Sequence, residues 1–271
     1  MRNHIGWSKF SFVAMFSLFA SATQAFPTDP VVKDVHEHPY FHKKEKSGEP
    51  EWGYQGKIGP THWAELSPRF KLAATGKHQS PIDLANMHRK ELPSIQFHYK
   101  PCRVRLVYNG HTIEDIEEQG SSIRVGDKTY ELKQFHFHSP SEHTVNGQHF
   151  DMEMHLVHIS KQGEIAVIGL FIKQGQANKW FQPVWDYLPS EKNKQRSPNL
   201  NVNVEDALPK KRDYASYSGS LTTPPCSENF KWMVLKQPIE LSKEQIAAFR
   251  RIIDGNNRPT QPLNGREIFS K

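Results

Sequence analysis

A mainly β domain with short helices is the fold class that the sequence predicts, on three observations. Short runs rich in β-branched and aromatic residues recur from Trp52 onward, each closed by Gly, Asn, Pro or Ser. Helical periodicity is scarce and strongest at Lys243 to Ile253. No repeat and no linker-like stretch interrupts residues 51–271, so one domain is expected there.

The elements follow in chain order. Arg103 to Tyr108 and His111 to Ile116 flank Asn109-Gly110, a pair suited to positive φ, and read as a hairpin. Further strand-like runs are Ser122 to Val125, Lys133 to His138, Met152 to Ile159, Ile165 to Lys173 and Asn229 to Leu235. The helix at Lys243 to Ile253 has Ser242 as its N-cap residue and Gly255 as its stop.

Upstream, residues 1–25 read as a cleavable secretory signal. Arg2 and Lys9 form the basic region, Phe10 to Ala20 the apolar stretch, and Ala22 or Ala25 ends a small-residue cleavage site. Eleven residues fall well short of the roughly 20 needed to cross a bilayer. No later segment is apolar enough to span one. The expected location is therefore outside the cytoplasm, periplasmic or secreted. Residues 26–50, rich in Pro, His and charge without periodicity, read as a mobile polar segment; His36, His38 and His42 offer a metal-scavenging cluster, but such short clusters are more often merely polar.

The 271-residue chain is 36% hydrophobic, yet 16 Phe, 6 Trp and 8 Tyr supply large packing units that a disordered chain lacks. The formal charge of +6 is spread thinly. Its densest run, Lys210-Lys211-Arg212, has no interleaved aromatics, which argues against a nucleic-acid footprint. Cys102 and Cys226 allow one disulfide at most and exclude a four-cysteine metal site.

The chemistry lies in two strand-like runs. In Gln134-Phe135-His136-Phe137-His138, residues two apart share a face, so Gln134, His136 and His138 point one way and the phenylalanines the other. By the same parity Glu153, His155 and Val157 share a face in the second run, and His158 points away. Paired as neighbours, the runs bring three imidazoles to one point and leave a tetrahedral position open. Three neutral ligands keep the full charge on a divalent ion. Gln134 and Glu153 each stand two residues before a ligand, where they can fix its tautomer.

Together with QSPID at 79–83, YNGH at 108–111, SEH at 141–143 and SGSLTTPP at 218–225, these runs closely resemble the α-class carbonic anhydrases, from about Trp52 to Ile268. The resemblance implies a single domain on a central, mostly antiparallel twisted sheet. It also implies a zinc enzyme that reversibly hydrates carbon dioxide to bicarbonate through zinc-held hydroxide. His136, His138 and His155 would be the ligands, supported by Gln134 and Glu153. Thr222 and Glu142 would orient the attacking oxygen, His111 would shuttle protons, and Tyr54 would order the intervening water. Val157, Val167, Leu221, Thr223 and Trp232 would line the pocket for a small, uncharged substrate. The number of subunits stays open, a homodimer included, and a weak esterase side activity is compatible with the same chemistry.

The sequence departs from the family pattern in two places. Exported members commonly bridge a cysteine before QSP to the one after TTPP; here Cys226 fits the second position, but Ala74 takes the first. Free thiols and intermolecular pairing both stay open. Glu114, three residues beyond His111, places a carboxylate at the expected pocket rim. Two rival readings have less support. A non-catalytic binding module of the same fold would have lost a ligand histidine, and a peptide-cleaving zinc hydrolase of the zincin type would carry HExxH.

Overall fold

The computed structural model describes Met1 and residues 50–271. The proposed signal at 1–25, and the segment at 26–50 apart from Met1 and Pro50, lie outside the described residues. No helix among those described is long and apolar enough to cross a membrane. Six strands carry the site: β1 (Ile113–Ile116), β2 (Lys128–His138), β3 (Met152–Ser160), β4 (Ile165–Gln174), β5 (Tyr214–Ser220) and β6 (Glu228–Leu241). They run in the order β5-β6-β4-β3-β2-β1 within a twelve-stranded sheet. Within these six, β4 pairs parallel with β6 and every other neighbouring pair is antiparallel. The parallel pair is possible because the chain crosses over through residues 175–227 before β6 begins.

Alternation along the strands, broken by bulges at Val157/His158 and Leu170/Ile172, divides the sheet. On one face Phe135, Phe137, Met154, Leu156, Ile168, Leu170, Met233 and Leu235 pack into the main core. On the other stand Gln134, His136, His138, Glu153, His155 and Val157. All nine residues of β3 are buried, because the apolar set enters the core while the polar set is covered on the opposite face. Shifting a strand by one residue would exchange the two sets.

The helix α1 (Lys243–Arg250) begins at Ser242 with a complete capping box: Gln245 N–H donates to Ser242 Oγ at 3.2 Å, and Ser242 N–H donates to Gln245 Oε1 at 3.1 Å. Such a cap is worth about 1 kcal/mol. The helix stops three residues before Ile253, where Ile252 and Ile253 N–H both turn to the Phe249 carbonyl. The hairpin also differs from the sequence reading. Tyr108 pairs with Ile113, so the connection is four residues long. Asn109 Oδ1 accepts the N–H groups of both His111 and Thr112 at 2.9 Å, which stabilises the wider loop.

Both cysteines are free and buried. Burial pushes the Cys102 thiol up to about 12 and the Cys226 thiol up to about 11. Cys226 sits among Trp52, Trp63 and Phe70; Ala73 packs against this group, while Ala74 is exposed. The position that faces the Cys226 group is thus one residue earlier than the motif spacing implied.

Two carboxylates are buried around the end of β1. Asp115 Oδ1 accepts the Arg105 N–H at 2.8 Å, and Glu117 Oε2 has no hydrogen-bond partner. Burial pushes both carboxyls up to about 7. A raised folded-state pKa stabilises the fold below the unfolded value near 4, and that contribution is lost as pH rises through about 7. Glu117→Gln is expected to stabilise the protein at pH 8 by on the order of 1–3 kcal/mol and to flatten the decline between pH 5 and 8. Urea denaturation at both pH values checks this, and an unchanged difference between them would contradict it.

Candidate metal centre

The register of β2 against β3 pairs His155 with His136 and Glu153 with His138. It brings one ring nitrogen from each of His136, His138 and His155 within 4.8 Å of the others. Ring centroids are 4.6 to 5.3 Å apart. His138 and His155 are almost fully buried, and His136 is half-buried.

A polar partner on the far side selects the nitrogen that each ring presents. His136 Nδ1 donates to Gln134 Oε1 at 2.7 Å, and His138 Nδ1 donates to the Asn256 carbonyl at 2.7 Å. Because those oxygens only accept, the lone pair stays on Nε2 in both rings. His155 is turned the other way: its Nε2 lies 3.0 Å from Glu153 Oε1, somewhat off the line of a hydrogen bond, which leaves Nδ1 facing the centre. Burial lowers His138 to about 4, and it lowers His155 against the opposing pull of Glu153, so both rings are held neutral. His138 Nε2 has no protein hydrogen-bond partner despite its burial. Three convergent imidazoles, two of them held neutral by burial and one with an orphaned buried nitrogen, suit a divalent metal of zinc type.

Glu153 is the anchor beneath the rings. Its Oε2 accepts the N–H groups of Glu142 and His143 at 2.9 Å each, and its Oε1 accepts His143 Nδ1 at 2.8 Å. Burial alone would raise this carboxyl, but His143 and His155 outweigh it and hold its pKa well below the usual range. His143, Glu153 and His155 also come within ligand distance of one another. The polar atoms of His143 and Glu153 are already engaged by each other, by the 142–143 amides and by Tyr217, whose hydroxyl is 2.7 Å from His143 Nε2, so these two residues are structural and only His155 keeps a nitrogen for the centre.

The remaining predicted residues surround the same point. Glu142 is fully buried; Oε1 accepts the Arg258 N–H at 2.9 Å, and Oε2 lies 3.5 Å from His138 Nε2 and 3.8 Å from His155 Nδ1. Burial pushes Glu142 up to about 7, opposed by His155, Arg258 and the Thr222 side chain. Thr222 is buried in the bend after β5, between half-buried Leu221 and Thr223; that bend is closed by Leu221 N–H to the Ser227 carbonyl and Cys226 N–H to the Thr223 carbonyl. Val157 pairs with Val167 and Val167 with Trp232, forming a continuous apolar row across β3, β4 and β6. The Trp232 ring meets His155 edge-on at 4.8 Å. His111 lies half-buried on the β1 loop, stacked on Trp52 at 3.6 Å. Tyr54 packs edge-on to the same tryptophan, and its hydroxyl is buried without a hydrogen-bond partner.

Glu114 is not at the rim. It is 8% exposed and directly opposite His136, because β1 is an interior strand between β2 and Leu106–Tyr108. Burial pushes its carboxyl up to about 7, opposed by Asn109.

Sequence reasoning missed Asn256. Its carbonyl fixes His138, its Oδ1 accepts Ser139 N–H at 2.8 Å, and its Nδ2 donates to the carbonyls of His111 and Phe137 at 3.0 Å. One buried amide therefore ties the His111 loop to the ligand strand. No local pattern marks it, since all these partners are more than 100 residues away.

A twisted β-sheet carrying three converging imidazoles on one polar face defines the class: a protein with a candidate metal site built from two adjacent strands. Residues 58–271 match the model of the eukaryotic-type carbonic anhydrase family, and the chain belongs to that family. It is 44% identical over 224 residues to a carbonic anhydrase of Nostoc, covering 80% of this chain and 85% of that one. A Pectobacterium carotovorum carbonic anhydrase is 39% identical over 219 residues, covering 80% and 90%. Among solved structures, the α-carbonic anhydrase of Thermovibrio ammonificans in complex with the inhibitor sulfanilamide aligns with a TM-score of 0.79 at 46% identity, over 82% of this chain and all of that one.

Replacing Asn256 with Ala removes three side-chain hydrogen bonds and strands buried partners. Stability should fall by about 1–3 kcal/mol in urea denaturation; a loss below about 0.5 kcal/mol would show that the bonds at His111, Phe137 and Ser139 are dispensable.

Proposed function

We propose that this protein hydrates carbon dioxide reversibly on a zinc ion held by His136 Nε2, His138 Nε2 and His155 Nδ1. The observation that carries the reading is the convergence of these three nitrogens, each selected by a hydrogen bond or close contact on the far side of its ring. Bound there, zinc would supply a Lewis acid that brings the pKa of a coordinated water towards neutrality.

The side chains do the rest. Gln134, Glu153 and the Asn256 carbonyl hold each imidazole in the tautomer that presents a lone pair inward. Glu142, fixed by the Arg258 amide, accepts from the Thr222 hydroxyl; the hydroxyl then accepts from the attacking oxygen and turns a lone pair towards the substrate carbon. The row Val157, Val167 and Trp232, with Leu221 and Thr223 beside it, offers an uncharged substrate an apolar surface and keeps bulk water off it. His111 takes the surplus proton on a ring nitrogen and releases it to buffer, and Tyr54 orders the water between. Weak hydrolysis of activated esters follows from the same nucleophile. The Met1–Ala25 segment supports export, with action in the periplasm or outside the cell.

His155→Ala should purify with little zinc and lose carbon dioxide hydration; a variant with near-normal metal content and rate would overturn the ligand assignment. Changing His111 to Ala should slow turnover about tenfold or more in weak buffer, with recovery on adding imidazole. Turnover that ignores both the substitution and the imidazole would assign proton transfer to another group.

A further inference from the structure

We infer that Gly169 is a positioning residue for the metal centre, acting through Glu153; the inference rests on the zinc reading above. Gly169 lies in the middle of β4, directly opposite His155 on one side and Val234 on the other. Glycine weakens a strand interior, so its presence there needs a reason. Backbone geometry does not supply one, because Gly169 is not among the residues with positive φ. Space does. A Cβ at this position would stand 2.8 Å from Glu153 Oε1 and 3.3 Å from both methyl carbons of Val234.

The end of a glutamate side chain ordinarily swings away from such a contact. Glu153 has nowhere to go: it is completely buried, and it is held by the N–H groups of Glu142 and His143, by His143 Nδ1 and by its contact with His155 Nε2. The hydrogen atom at Gly169 is thus what lets the carboxylate sit beneath His155 and keep that ring's Nδ1 pointed at His136 and His138. Any side chain there pushes on the carboxylate, and through it on a ligand ring.

The test is zinc release from purified holoenzyme into excess dipicolinate, followed by an indicator dye, alongside circular dichroism and thermal melting. Gly169→Ala should keep the β-sheet spectrum and release zinc at least about tenfold faster than wild type. Shortening the carboxylate with Glu153→Asp removes the contact, so adding Gly169→Ala to that background should produce no further acceleration. A release rate within about twofold of wild type would overturn the inference, as would a full tenfold effect on top of Glu153→Asp. If Gly169→Ala alone does not fold, recovery of a folded protein in the double variant supports the inference and failure to recover overturns it. Wild type that carries no zinc overturns the metal reading itself, before any variant is made.

Discussion

The pairing of β2 with β3 in one register is the constraint on which everything else depends. With His155 opposite His136 and Glu153 opposite His138, three ring nitrogens face a common point, and the Asn256 carbonyl and the 142–143 amides then orient the rings and their anchor. A slip of one residue would turn Phe135, Phe137, Met154 and Leu156 towards the polar face and bury the imidazoles in the core. The apolar set that fixes the register is the same set that forms the main core, so the packing that builds the core also places the imidazoles. Hydrophobic burial on one side determines where the imidazoles stand on the other.

The polar face has its own logic, organised around Glu153. A buried carboxylate is costly unless its charge is fully compensated, and here two backbone amides and two imidazoles surround it. The same contacts fix the backbone at 142–143, and Glu142 with it. Charge compensation and positioning are therefore one interaction network. Gly169 on the adjoining strand provides the room in which that network fits.

Much of the site was legible in the sequence because it is written with period two. The parity of Gln134-Phe135-His136-Phe137-His138 and of Glu153-Met154-His155 separates the imidazole face from the core within five residues, and the structure pairs the two runs, the condition under which that parity brings the rings together. Strand β5 was not legible: Tyr214-Ala215-Ser216-Tyr217-Ser218-Gly219-Ser220 has little β-branched content, and it is held as a strand by β6 beside it. Asn256 and Arg258 escaped notice for a different reason. Each is an unremarkable loop residue until the fold brings it to partners more than 100 positions away. Glu114 shows the limit of motif spacing: its place three after His111 suggested an exposed rim, whereas pairing on both edges of β1 buries it beside His136.

A single zinc ion held by these imidazoles is what the proposed hydration chemistry depends on. Stopped-flow carbon dioxide hydration, measured on purified protein together with its metal content before chelation, after chelation and after zinc is restored, tests it most directly. The expected result is about one zinc per chain, activity that falls in proportion to zinc removed, and recovery when zinc is returned. Full hydration activity in protein stripped of metal would contradict it.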